Sequence, residues 1–200
     1  MHEPRLKAAM GVGYAVAPVG ADHMMNMHDT DFASEGRSLW RVNTAMDEPV
    51  TPLSSHVLNE EKMRIFYHHV NWMHFQDCAL NCHFYCYDFN QMAEALSGVS
   101  GVEYGIHDIL AVGARAQTLA RLFNLREGFT VEDDRLPKRV MKAFESGPLQ
   151  GIEISEEALA WAKRRYYEMM GWDAESGAPT EGCLKELGLE EWLTEAQARS

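Results

Sequence analysis

The chain has 200 residues, enough for one domain with a hydrophobic core or for two small domains that share a face. Hydrophobic residues make up 46% of it and charged residues 24%, a composition that excludes a disordered protein. The formal charge of -12 argues against partners that reward a basic surface. We therefore expect a globular protein that binds neither nucleic acid nor membrane.

The start of the chain and its cysteines indicate the compartment. The first residues lack the apolar core and cleavage site of a secretory signal, and no run reaches the roughly 20 apolar residues of a membrane span. The four cysteines are too few, and three of them too tightly grouped, for a disulfide framework. We expect a cytoplasmic protein whose cysteines are reduced thiols or metal ligands.

The first predicted element is a short helix over residues 5–17 that ends before Pro18. Small side chains at many of its positions suit close approach by a neighbouring helix or by a flat cofactor. A polar segment follows over residues 20–32, and in it His23 comes directly after an Asp. A lone histidine in a loop is most often solvated, but loops of this kind often line sites, so His23 is a candidate acid or base.

Two helices are predicted in the next part of the chain. Residues 34–57 are irregular, with one short helix around Gly36 to Asn43. A longer helix begins at Asn59, which can cap it, and acidic residues occupy its first turn. Its apolar residues recur at helical spacing, at positions 63, 65, 66, 70 and 73, which predicts that this face is buried.

Soft metal ligands are concentrated between residues 69 and 90. If this run stays helical, a stripe of side chains four residues apart lies on one face, namely His74, Cys78, Cys82 and Cys86. Thiols on a helix are often simply core residues. Ligands at steps of four lie roughly 6 Å apart along the axis, so three of them cannot surround one ion. One or two could bind a metal centre whose other ligands lie elsewhere.

The second half of the chain is also helical by pattern. Helices are predicted over residues 90–96, 102–125, 155–170 and 184–187, with Ser155 as a cap and Trp161 packed inward. The charged segment 126–139 is predicted to be a solvated loop. Strand signals are almost absent, so the predicted class is all-α, an irregular multi-helix bundle. A boundary between two sub-domains near residues 98–102 is an open alternative to one domain over residues 1–200.

Four segments of the chain, in this order, resemble a known family. They are EPRLKAAMGVGYAVAPVGADHM, DCALNC, TLARLFNLREGFTVEDDRLPKR and YYEMMGWDAESGAPTEGCLKELGL. Together they resemble the C-terminal part of the tungsten-dependent aldehyde ferredoxin oxidoreductase family, and the resemblance covers nearly the whole chain. It implies an all-helical pair of domains that closes over a bis-pterin tungsten (or molybdenum) cofactor, with a 4Fe-4S cluster beside one pterin.

The resemblance also implies roles for three residues. In the family, a motif of Asp, two variable residues, Gly, Leu and Cys supplies an Asp that hydrogen-bonds a pterin and a Cys that is the fourth cluster ligand. These positions fall on Asp77 and Cys82, while Leu80 and Asn81 stand where Gly and Leu are usual. The histidine of the GADH segment, a proton-transfer or substrate-orienting group near the metal, falls on His23.

The resemblance further implies what the chain needs from outside. The family's N-terminal pterin-cradle domain, with the other three cluster cysteines, has no counterpart in these 200 residues, so we expect a fragment or subunit that requires that part as a partner. The implied reaction oxidises a small aldehyde, or acts on another oxo donor, and passes electrons to ferredoxin. A stand-alone helical protein that binds a metal through His74, Cys78, Cys82 and His68 or His83 is the alternative, together with a structural fragment without activity.

Overall fold

A computed structural model describes residues 2–85 and 87–192, and over these residues the chain folds into seven α-helices without any β-strand. The helices are α1 (Ala8–Val16), α2 (Arg37–Asn43), α3 (Glu60–Cys78), α4 (Phe89–Ser100), α5 (Ile106–Arg126), α6 (Glu156–Met169) and α7 (Glu181–Glu186). Three short 3-10 helices connect them, at Asp29–Phe32, Val131–Asp133 and Glu190–Trp192. The predicted all-α class is confirmed.

Helix α1 is buried along its whole length, and its small residues receive side chains from this same chain. A Cβ placed on Gly11 would overlap Ile154, and one placed on Gly13 would overlap the amide of Asn26. Of the two explanations for the small residues, close packing by neighbouring segments is therefore the one seen at these two glycines.

A buried ion pair fixes the start of α1. The two oxygens of the Asp29 carboxylate accept hydrogen bonds from the backbone N–H groups of Ala9 and Met10, each at 3.1 Å. The Lys62 ammonium lies 2.8 Å from the same carboxylate, and both side chains are fully buried. The ammonium also donates to the Ser54 carbonyl at 3.1 Å. One carboxylate thus joins α1 to α3 and satisfies the free N–H groups at the end of a helix.

The main helix contact is between α3 and α5. A Cβ on Gly113 would overlap the backbone carbonyl of Asn71, so only glycine allows the two helices to approach this closely. Beside this point the Gln117 amide donates to Oδ1 of Asn71 at 2.6 Å, and the Tyr166 hydroxyl of α6 donates to Gln117 at 2.7 Å. Side-chain hydrogen bonds therefore tie three helices together at the centre of the molecule.

A second buried charge network lies between α5 and α6. Arg121 contacts both carboxylate oxygens of Asp134, at 3.0 and 2.8 Å, and its Nε donates to the Gly177 carbonyl at 2.9 Å. The Tyr167 hydroxyl donates to the same carboxylate at 2.5 Å. Burial and the neighbouring Asp134 raise the pKa of Tyr167, so it stays a neutral donor. The segments 126–139 and 171–180 are anchored to the bundle by this network.

Several sequence predictions need correction in detail. The run from His69 to Asn90 is not one helix, because α3 ends at Cys78 and α4 begins only at Phe89. Trp161 is 40% exposed rather than packed inward. One continuous hydrophobic cluster contains core residues from both sides of positions 98–102, including Trp72 and Tyr166. The Asn59 cap and the buried stripe of α3 are confirmed.

Candidate functional site

Helix α3 ends in a tight turn. This turn carries Asp77 and Cys82, the two residues for which the resemblance implies contacts with a cofactor. The N–H of Asn81 donates back to the Gln76 carbonyl at 2.8 Å, and the N–H of Leu80 donates to the Asp77 carbonyl at 3.0 Å. Leu80 has φ of 54°, the left-handed conformation that ends many helices and that favours glycine. Glycine, which is usual at this position of the family motif, adopts this backbone conformation without strain. Leucine adopts the same conformation at a cost in conformational free energy.

The predicted stripe of ligands on one helix is therefore wrong. Cys78 is the last residue of α3, and Cys82 lies four residues further on, beyond the turn. Asp77 belongs to the last turn of α3. Cys86 lies outside the described residues. Cys183 is buried and its thiol contacts the Met170 carbonyl at 3.2 Å, which makes it a core residue.

The Asp77 carboxylate and the Cys82 thiol are both exposed on this turn. One oxygen of Asp77 lies 2.8 Å from Nε2 of His83, a close contact without the alignment of a hydrogen bond. Cys78 is also exposed, and partial burial together with Asp77 raises the pKa of its thiol. The turn thus presents one carboxylate and two thiols outward, where a group held by other polypeptide could reach them.

Large apolar side chains surround Cys82 on the surface. Leu80 is 93% exposed, Phe84 83% and Tyr85 63%. Tyr85 and Tyr87 stack with their ring centroids 5.8 Å apart. Exposed apolar groups clustered in this way are typical of a contact surface for another chain or domain.

Next to the turn lies a hollow of about 550 Å³, which we call the histidine hollow. Five of the nine histidines of the chain line it, namely His2, His23, His28, His69 and His83. His2 connects two of these rings, because its centroid is 5.0 Å from that of His23 and 4.7 Å from that of His28. The predicted residue His23 therefore belongs to a cluster and is not a lone loop histidine.

The protonation state of His28 follows from its two neighbours. The Lys7 ammonium, which can only donate, lies 2.7 Å from Nδ1 of His28, so this nitrogen accepts. The proton then sits on Nε2, which lies 3.2 Å from the backbone carbonyl of His23 and donates to it. Burial and the Lys7 charge lower the pKa of His28, in agreement with a neutral ring. His28 thus holds the backbone that carries His23.

His69 closes the hollow from the side of α3. Burial, followed by the nearby Arg41 and His28, lowers the pKa of His69 to about 3. The ring interacts with the Asn26 backbone, while its Nδ1 is buried without a hydrogen-bond partner among the described residues. His74, one turn further along α3, does not line the hollow, and burial lowers its pKa to about 4.

The fold brings the predicted site residues to one end of the molecule. His23 lines the histidine hollow, and so does His83, which contacts Asp77 and directly follows Cys82 in the chain. Sequence reasoning did not assign a role to His28 or Arg41 in this site. A signal for His28 was present, since it follows His23 by five residues in the same polar segment. No periodic pattern pointed to Arg41.

The described parts of the chain, residues 2–85 and 87–192, contain no group of three or more His, Cys, Asp or Glu side chains placed to hold a metal ion. The alternative of a stand-alone metal site at His74, Cys78 and Cys82 has no support in this geometry. The exposed thiol of Cys82 does fit a single ligand of a cluster whose other ligands come from elsewhere. Within the same residues, no helix is long and apolar enough to cross a membrane.

Comparison with known proteins identifies the family to which this all-helical chain belongs. The family model for aldehyde ferredoxin oxidoreductase, domains 2 and 3, matches residues 1–189. The chain therefore belongs to the aldehyde ferredoxin oxidoreductase family and corresponds to these two domains. It is an oxidoreductase-family chain that spans about a third of the length of the curated relatives it matches, 31% of the first and 32% of the second.

Individual relatives give the same picture. The tungsten-containing aldehyde ferredoxin oxidoreductase of Pyrococcus abyssi is 27% identical over 193 residues, which cover 92% of this chain and 31% of that protein. The aliphatic sulfonate oxidoreductase, WOR-like subunit, of Pyrococcus furiosus is 32% identical over 124 residues, covering 58% of this chain and 20% of that protein.

A solved structure shares the fold. It is the active site complex BamBC of benzoyl coenzyme A reductase in complex with 1,5-dienoyl-CoA. The TM-score is 0.66 at 17% identity, over 96% of this chain and 32% of that one. The likeness shows the all-helical architecture of these domains.

Proposed function

We propose that this chain is the C-terminal part of a tungsten (or molybdenum) bis-pterin oxidoreductase that oxidises small aldehydes, or acts on a related oxo donor. The observation that carries the proposal is the exposed Cys82 thiol beside the Asp77 carboxylate, on a turn next to the histidine hollow. Family membership over residues 1–189 supports the same assignment. In the proposal the chain acts together with an N-terminal pterin-cradle domain or subunit.

In the proposed reaction, one aldehyde and one water molecule give one carboxylic acid, two protons and two electrons. The aldehyde C–H bond breaks and a C–O bond to the water oxygen forms, while two ferredoxin molecules each accept one electron. The bound pterin metal would supply two-electron chemistry and the 4Fe-4S cluster one-electron transfer. Neither group takes most of its ligands from this chain.

The residues of this chain have three roles in the proposal. Cys82 completes the cluster as a single thiolate ligand, and Asp77 accepts a hydrogen bond from a pterin. His23, in the histidine hollow, takes up or delivers a proton at the reacting oxygen, as an imidazole can near neutral pH. His28 positions His23 through the hydrogen bond to its carbonyl.

The partner in the proposal is the N-terminal domain or subunit that carries the remaining cluster cysteines. The exposed side chains of Leu80, Phe84 and Tyr85 around Cys82 are the surface that it would cover. Burying such apolar groups stabilises an interface by roughly 25 cal/mol per Å² of apolar surface removed from water. The same contact would shield a cluster bound at Cys82 from solvent.

Coexpression with the N-terminal half of a matching family member tests the proposal. We expect a copurifying complex that contains tungsten or molybdenum and iron, measured by elemental analysis. Cys82→Ser should lower the iron content, while Cys78→Ser, an exposed thiol on the same turn, should leave it unchanged. A colourless, metal-free complex, or full iron retention in Cys82→Ser, would contradict the proposal.

A further inference from the structure

The charges around the histidine hollow differ from those of the chain as a whole. The full sequence has 18 basic and 30 acidic residues, so a random part of its surface should be acidic. The hollow is instead lined by two guanidinium groups, Arg37 and Arg41, and by one carboxylate, Asp31. The Lys7 ammonium stands directly behind it against His28, and Asp77 stands behind His83.

Other polar groups of the hollow are already bonded within the chain. Nε2 of His28 donates to the His23 carbonyl at 3.2 Å and the Asn26 amide donates to the Asp22 carbonyl at 2.5 Å, so the guanidinium groups are the donors that distinguish the hollow. Arg41 is half-buried with its guanidinium over the ring of Trp72, 5.4 Å from the centroid. This contact fixes the direction of its charge.

We propose that the histidine hollow binds the oxyanion end of a small organic substrate, a carboxylate or sulfonate, through Arg37 and Arg41. This inference rests on the proposed function for its catalytic meaning, because it would hold a charged aldehyde substrate in the hollow that His23 lines. Guanidinium groups recognise carboxylates and sulfonates through paired N–H donors. Aldehydes that carry a carboxylate or sulfonate are a narrower substrate class than aldehydes in general. The positive charge of the hollow favours this narrower class.

The test is a titration of the full chain with acetate and methanesulfonate, followed by the ring C–H signals of the histidines in NMR spectra. Acetamide and dimethyl sulfone serve as neutral probes of similar shape, with pH held constant and chloride used to fix the ionic strength. We expect saturable shifts for both anions, with Kd on the order of millimolar for ligands of this size, and no saturation with the neutral probes.

Variants locate the binding. Arg41→Gln should weaken binding of both anions by about tenfold or more, since a charge-assisted contact is lost. Arg37 is exposed, so Arg37→Gln preserves the fold and tests the same site if Arg41→Gln unfolds. Arg164→Gln on α6 is the matched control, because its side chain is 59% exposed and does not line the hollow. It should leave both Kd values unchanged.

Other outcomes would overturn the inference. Equal shifts with the neutral probes, or none with either anion, would show that charge does not select the guest. Inorganic phosphate provides a further arm, and saturable binding of phosphate alone would assign the hollow to a phosphate group and not to this substrate class. The titration needs neither metal nor partner, so its failure is distinguishable from failure of the coexpression experiment.

Discussion

The buried charge networks of this chain and its exposed turn at residues 77–83 use similar side chains in opposite ways. Asp29 and Lys62 have no solvent exposure and satisfy each other, together with the end of α1. Asp77 and Cys82 lie on the surface, and one oxygen of Asp77 lies 2.8 Å from Nε2 of His83. The first arrangement is satisfied within the chain, whereas the second leaves a carboxylate and a thiol exposed.

This difference separates the family's sequence segments into two kinds. The segment with Arg121 and Asp134 and the segment with Tyr167 meet in one buried network, so their similarity to the family is explained by packing. The short segment that contains Asp77 and Cys82 exposes both side chains on the surface. Similarity in the interior thus reflects the fold, whereas in the proposed function the turn supplies groups to a cofactor.

The largest predicted effect on the free energy of unfolding comes from the buried ion pair of Asp29 and Lys62. Asp29→Leu should lower the free energy of unfolding by about 3–5 kcal/mol, because it leaves the Lys62 ammonium buried without its partner. Urea denaturation measures the change. The double variant Asp29→Leu, Lys62→Met should recover part of the loss, and Glu175→Gln, which removes an exposed ion pair with Arg164, should have no measurable effect. Equal losses in the free energy of unfolding for Asp29→Leu and Glu175→Gln would contradict the expected difference between buried and exposed charges.

A change of pH is expected to have an intermediate effect on stability, through His69, which is buried and also lines the histidine hollow. The pKa of His69 is 6.5 as a free side chain and about 3 in the folded protein because of its burial. The unfolded chain therefore takes up the proton first as pH falls. Stability is complete above pH 6.5 and declines below it, by up to about 1.4 kcal/mol per pH unit for this one group.

His68 and His74, whose pKa values are lowered to about 4 by burial, act in the same direction. Denaturation at pH 7, 6 and 5 should show that His69→Gln reduces the slope of stability against pH by about 1.4 kcal/mol per unit. His56→Gln, at an exposed position, is the control and should keep the original slope. An unchanged slope in His69→Gln would mean that the ring is not held neutral by burial.

The smallest effect is expected on the turn itself. Leu80→Gly should raise the free energy of unfolding by about 1 kcal/mol, because glycine adopts the left-handed backbone without strain. Little packing is lost, since Leu80 is 93% exposed. Leu80→Ala keeps the Cβ and should give much less of this gain. If alanine stabilised as much as glycine, the cause would be removal of an exposed apolar side chain and not relief of backbone strain.

Local patterns allowed several parts of the fold to be predicted. The Asn59 cap, the acidic first turn and the helical spacing of apolar residues located α3, because these signals act over a single turn of helix. The same signals failed in the segment that follows α3. Apolar and cysteine residues continue at helical spacing through residues 79–88, and the turn at Leu80 leaves no mark in a sequence that has leucine where glycine is usual.

The sequence by itself determined the helical class and the family, and it predicted His23, Asp77 and Cys82 as site residues, because capping, periodicity and motif order are local properties of the chain. Tertiary structure alone decided that His23 stands with four other histidines around one hollow, and that Arg37 and Arg41 face it. These groups come from segments up to 81 positions apart, from His2 to His83. Their proximity results from the packing of α2 on α3 and of the chain's start beside them, which no short-range pattern encodes.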